Sequence, residues 1–394
     1  MTSAATTDVP TTTEHVPPKG EILSLTGLRA VAAIAVVVHH TELPPSAPEW
    51  MAKIAQCGFI GVPLFFMLSG FVLAYNYPAL SPRSGWRKVV RFWVARVARV
   101  MPLYWVVLIW AVCMREFKGI PQDSSLPLHF LGFQTWSGDL NVGAQMYNAP
   151  GWSICVELFL YALFPFLVPV VAYAARRFGV RGLLALAGLA FAVQLALWAV
   201  FVINGNADLP AVDPNSAHRW LYRNPLTRLP EFVVGMCLAF LLVRGVRMPR
   251  LLAHLTQAAV IAFVLVMCAT RDLTSGPLGA AFFGTLWTIP FGLLILSLAS
   301  NRGFFAWFLS VRGMVMLGTA SYALYITHRG LLPAFGRGYV ESAPGHWGYV
   351  AVLVVIALAL AVAEGAHRYV ELPARQWILK AADRVLKPRA SSGR

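Results

Sequence analysis

Ten apolar runs, most of them close to 20 residues long, alternate with polar segments along this chain. At a helical rise of about 1.5 Å per residue, a run of that length matches the roughly 30 Å hydrocarbon core of a bilayer. The runs fall at 22–41, 59–77, 89–112, 152–174, 183–203, 229–243, 252–270, 278–298, 314–332 and 349–369, the sixth being the shortest. They predict an all-α, polytopic membrane protein with about ten transmembrane helices. Composition agrees: of 394 residues, 58% are hydrophobic and 12% charged, and the mean hydropathy of +0.64 is too high for a soluble domain.

The polar segments set the orientation. Every second connection is basic: Arg83, Arg87, Lys88 and Arg91; Arg176, Arg177 and Arg181; Arg244, Arg247 and Arg250; Arg302 and Arg312; and a tail with Arg375, Lys380, Arg384, Lys387, Arg389 and Arg394. By the positive-inside rule both termini are expected in the cytoplasm. The same loops account for the formal charge of +15, so no nucleic-acid partner is implied. Residues 1–20 are Thr/Pro-rich and acidic rather than basic, which reads as a disordered tail before an anchoring helix and not as a cleavable signal peptide. One membrane domain is expected over 21–372, with a basic cytoplasmic tail at 373–394. Cys57, Cys113, Cys155, Cys237 and Cys268 are scattered without ligand spacing, so no metal site is expected.

Candidate chemistry lies in the charges placed inside apolar runs, which are costly there and commonly face a bundle interior. Arg29 and His40 are eleven residues apart in the first run. Eleven steps of about 100° make three turns and some 20°, so both side chains share a face, separated by roughly 16 Å along the axis. A charged end of a ligand can sit at Arg29 while chemistry proceeds at His40; alternatively Arg29 snorkels to the interface and His40 is an interfacial histidine. In the third run Arg96 and Arg99 share a face at the expected depth of Arg29, forming a cluster suited to phosphates, whereas Arg91 reads as a positive-inside residue. In the fourth run Ser153, Glu157 and Tyr161 lie on one face after Trp152, and Glu157 is expected near the depth of His40, where its carboxylate can orient the imidazole or accept from an acceptor hydroxyl, the alternative being a structural ion pair. In the ninth run Ser321, Tyr325 and His328 line one face, with His328 near the outer side. Ser69 with Gly70 in the second run reads most simply as a close helix contact.

These stretches, in order, resemble the acyltransferase-3 family of integral membrane O-acyltransferases. The match lies in the segment from Leu25 through Arg29 to His40, Gly61 to Phe71 with Ser69, Arg96 and Arg99 with Pro102 and Tyr104, Trp152 and Ser153 with Glu157, and Ser321 with Tyr322 through His328. The family commonly has a second acidic or polar residue after the glutamate, where this chain has Leu158. The resemblance implies acyl transfer from cytoplasmic acyl-CoA, most simply acetyl-CoA, to a hydroxyl on a sugar at a multi-pass site in the plasma (inner) membrane. It implies that His40 is essential, as general base or as nucleophile, and it assigns Arg96 and Arg99 as the arginine pair. The chain resembles the stand-alone members that lack a fused extracytoplasmic domain. The expected partners are the lipid bilayer and a sugar-containing acceptor in a cell-envelope glycan or glycolipid; the alternatives are a macrolide or other secreted antibiotic as acceptor, or a transporter or flippase without catalysis. Nothing in the sequence indicates an oligomeric state.

Overall fold

The computed structural model describes residues 20–137, 147–271, 276–300, 302–335, 340 and 346–386. The expected N-terminal tail, apart from Gly20, and the chain beyond residue 386 lie outside the described residues. Eleven principal helices follow one another: α1 Leu23–His40, α2 Gly61–Asn76, α3 Trp86–Phe117, α4 Trp152–Ile203, α5 Pro225–Val243, α6 Arg250–Ala269, α7 Thr288–Ala299, α8 Arg312–Thr319, α9 Ser321–Phe335, α10 Trp347–Ala366 and α11 Leu372–Leu386. Among the described residues there is no strand. The protein is all-α.

Seven helical stretches are long and apolar enough to cross a membrane, and the difference from ten has three local causes. The fourth and fifth predicted spans are continuous in the 52-residue α4, where Gly179 at φ 61° redirects the chain. Only glycine holds that backbone without a Cβ penalty. The eighth span is broken: the 12-residue α7 follows an irregular stretch after the short helix Gly276–Ala281. The ninth is divided at Ala320 into α8 and α9. Residues 373–386, expected as the start of a tail, belong to α11, which packs on α3 with Arg91 Nε 2.7 Å from Asp383 Oδ1.

The interior is built on α2 and α5. A Cβ on Gly70 would lie 2.1 Å from the Phe232 carbonyl oxygen, and one on Gly235 2.0 Å from that of Met67, so the two backbones touch. Small residues permit this approach where no hydrophobic force acts between helices in lipid. The most apolar windows of Glu49–Asn76 and Pro225–Val243 are 83% and 78% buried, against 22% in Arg250–Ala269, which ranks α2 and α5 as central and α6 as peripheral. Helix α1 is half-buried: it packs on α2, α8 and α9, and Gly318 of α8 meets the Thr26 carbonyl.

The irregular stretch before α7 and the irregular connection between α4 and α5 leave backbone carbonyls inside the bundle, where each must find a donor. Arg228 serves one from each, donating to the carbonyl of Phe283, at 2.8 Å, and to that of Leu221. Its charge is balanced by Glu231 at 2.9 Å, whose carboxylate also accepts from Gln194 at 2.9 Å. Thr288 then donates to Gln194 at 2.6 Å, tying α4, α5 and α7 together.

Candidate active site

Five helices contribute to a cavity of about 80 Å³ that gathers most of the charges singled out in the sequence. Arg29 comes from α1, Ser69 from α2, Arg96 and Arg99 from α3, Ser153, Glu157 and Tyr161 from α4, and Ser321 and Tyr325 from α9. The sequence spacing that put Arg96 and Arg99 on one helix face, and Ser153, Glu157 and Tyr161 on another, therefore turns each set toward a common space. Arg96 is buried, its guanidinium 5.7 Å from the Phe92 ring and 5.9 Å from the Tyr77 ring, and its Nε has no partner among the described residues. Arg91 is absent from the cavity, being exposed and paired with Asp383. Three guanidiniums against one carboxylate leave the cavity lining with excess positive charge.

His40 lines a second cavity, of about 380 Å³, with Trp152, Tyr222, Arg223, Arg271 and Arg329 among its walls. The walls of the two cavities have Val62 and Tyr325 in common, so they adjoin. Tyr325 is held in place by donating to the Pro150 carbonyl at 3.4 Å.

Hydrogen bonding fixes the tautomers of two histidines. His328 is fully buried, and its Nδ1 lies 2.7 Å from the Tyr325 carbonyl oxygen, which can only accept. The proton of neutral His328 is therefore on Nδ1, and Nε2 accepts. That Nε2 stands 3.2 Å from His40 Nδ1, which is also 2.9 Å from the Val36 carbonyl oxygen. Two acceptors face His40 Nδ1, so the proton of His40 is there and the lone pair is on Nε2. His39 lines the same cavity but has a different setting, edge-on to the Phe59 ring at 5.7 Å with its Nδ1 unpartnered among the described residues.

One pairing expected from the sequence is not formed. Glu157 lies among Arg99, Arg29 and Arg96, while the ring bonded to His40 is that of His328. The reason is where α4 begins. Its start is inside the protein, with Pro150 and Gly151 just before it and Trp152 and Ser153 in its first turn all buried, and Gln134 donating to the Gly151 carbonyl at 2.7 Å. Trp152 is thus at the level of His40, and Glu157, about 7.5 Å further along the axis, reaches the arginines. Ser69, read as a helix contact, lines the arginine cavity, while its neighbour Gly70 makes the contact. Sequence reading passed over His218, Tyr222 and Arg223, which sit in the π-helical stretch His218–Arg223 between α4 and α5. Their signal was a polar and aromatic run too short to span a membrane.

Comparison with known proteins bears on the same residues. The model of a family described as an acyltransferase domain matches residues 22–363. O-acetyltransferase OatA of Staphylococcus aureus strain NCTC 8325 is 24% identical over 377 residues, 91% of this chain and 58% of the relative. A protein of strain COL that carries O-acetyltransferase as a provisional name is 22% identical over the same shares. This chain thus spans less than three fifths of the length of these relatives. No solved structure matches it. With the family model covering both cavities and every helix from α1 to most of α10, the chain belongs to the acyltransferase-3 family of membrane acyltransferases.

Proposed function

We propose that this protein moves an acyl group, in the simplest case acetyl, from cytoplasmic acyl-CoA to a sugar hydroxyl of a cell-envelope glycan or glycolipid at the plasma membrane. The observation that carries this reading is the state of His40: both groups at Nδ1 are acceptors, leaving Nε2 as a base. The arginine cavity serves the donor, Arg29, Arg96 and Arg99 taking the phosphates of coenzyme A and Glu157 holding the guanidiniums apart. The thioester passes Val62 and Tyr325 to reach His40. There Nε2 takes the proton of the acceptor hydroxyl as its oxygen attacks the thioester carbonyl carbon. The carbon–sulfur bond breaks, and the proton passes to the departing thiolate, giving the ester and free coenzyme A. His328 stabilises the imidazolium by accepting from Nδ1. The names of the relatives, O-acetyltransferases, support the acetyl group and the oxygen acceptor. Both termini are cytoplasmic in this reading, which brings the arginine cavity to the donor's side.

The test is incubation of purified protein with labelled acetyl-CoA and envelope glycan from a strain lacking the gene. Label is expected to move to the glycan with release of coenzyme A, and His40→Ala is expected to stop both. Transfer by His40→Ala at the wild-type rate would overturn the reading.

A further inference from the structure

The histidine cavity contains charge that the transfer chemistry does not use. Its walls carry Arg223, Arg271 and Arg329 and no carboxylate among the described residues. Arg271 is engaged, donating to the Gln56 carbonyl at 3.3 Å with its guanidinium 4.9 Å from the Phe59 ring. Arg223 is different. Its Nη2 leans on His218 Nε2 at 3.4 Å, but Nε and Nη1 are buried with no partner among the described residues. A buried guanidinium with unmet N–H groups is costly unless something oxygen-rich arrives to accept from them.

The position of Arg223 indicates what that is. It belongs to the cavity that holds His40, away from the arginines of the donor cavity. Around it stand aromatic faces: its guanidinium is 6.0 Å from the Trp152 ring, and Trp152 and Tyr222 are 4.8 Å apart. Aromatic faces suit the C–H surfaces of a sugar, and a guanidinium suits a carboxylate or phosphate. A cavity of about 380 Å³ accommodates one such unit. Resting on the acyl-transfer reading above, we infer that the acceptor is an anionic sugar, bearing a carboxylate or phosphate on or beside the acylated unit, and that Arg223 binds that anion while His40 takes the hydroxyl proton.

The inference is tested with two matched pairs of acceptors, methyl glucuronide against methyl glucuronamide and methyl glucoside 6-phosphate against methyl glucoside, each given to wild-type membranes with labelled acetyl-CoA. One charged member is expected to exceed its neutral partner in kcat/KM by about 10- to 100-fold, the scale of a hydrogen-bonded charge. Arg223→Gln should erase that ratio and Arg223→Lys keep part of it. Equal use of charged and neutral members overturns the inference, as does an effect of Arg223→Gln on the KM for acetyl-CoA alone. If Arg223→Gln fails to insert, the wild-type ratio and Arg223→Lys decide. If no soluble sugar is acylated but the envelope glycan is labelled, tandem mass spectrometry of the labelled unit decides: an ester on an anionic unit supports it, and one on a neutral unit remote from any anion overturns it. Absence of label from every acceptor, with intact protein, would instead sink the acyl-transfer reading.

Discussion

His40 presents one lone pair to its cavity because two acceptors compete for its other nitrogen. His40→Ala should lower kcat by about 10²- to 10⁴-fold, the usual worth of a general base, while His39→Ala, lacking that hydrogen-bond pattern, should lower it far less. His328→Ala should leave the acyl-CoA KM unchanged and reduce kcat by up to about 100-fold, since a ring free to swing loses its attack geometry; an effect on KM alone would make His328 a packing residue. Arg96→Ala and Arg99→Ala should raise the KM for acyl-CoA, with lysine restoring only part because it lacks the planar fork. Glu157→Gln belongs with them: its consequence should appear in the acyl-CoA KM, and one confined to the acceptor KM would place the carboxylate at the other cavity. Arg29 and His40 sharing a face was legible in the sequence, because helical periodicity is a local property. That His328 meets His40 was not, since 288 residues separate the two rings.

Among the elements, α5 is the most informative departure from the apolar pattern. Its hydrophobic run starts at residue 229 in the sequence, yet the helix starts at Pro225, because Arg228 and Glu231 neutralise one another within it. Arg228 also caps the Phe283 carbonyl left by the broken eighth span, so the two irregularities compensate. Glu231→Ala would strand a buried guanidinium and should cost about 3–5 kcal/mol, read as a large drop in the thermal midpoint of the detergent-solubilised protein. Glu231→Gln, which keeps the hydrogen-bonding shape, should lose less. An unchanged midpoint for Glu231→Ala would show that Arg228 finds a second partner.

At the scale of the whole molecule, the adjoining cavities order the helices. Arg29 precedes His40 in α1 and Ser321 precedes His328 in α9, so both run from the arginine cavity toward the histidine one. Helices α2 and α4 run the other way, from Val62 to Ser69 and from Trp152 to Glu157. The alternation agrees with consecutive membrane crossings. Val62 and Tyr325 stand between the two cavities, where the thioester passes in the proposed reaction. Val62→Phe should therefore suppress transfer by at least about 10-fold while changing stability modestly, overpacking at a cavity edge being less costly than in a filled core. Retained transfer would place the thioester's route elsewhere.

The sequence by itself determined the fold class, the approximate positions of most helices and the grouping of Arg29, Arg96 and Arg99. These depend on the thickness of hydrocarbon and the period of the helix, both of which act over short stretches of chain. Only the tertiary structure decided depth and partnership. Gln134, Pro150 and Gly151 are already buried before α4 begins, which moves Glu157 away from His40 and down to the arginines. The π-helical stretch His218–Arg223, unremarkable as a connection, becomes a wall of the cavity that holds His40 because Arg228 ties the Leu221 and Phe283 carbonyls together. Hydropathy records what a residue costs when alone in lipid; which residue it meets there is settled only when distant helices pack.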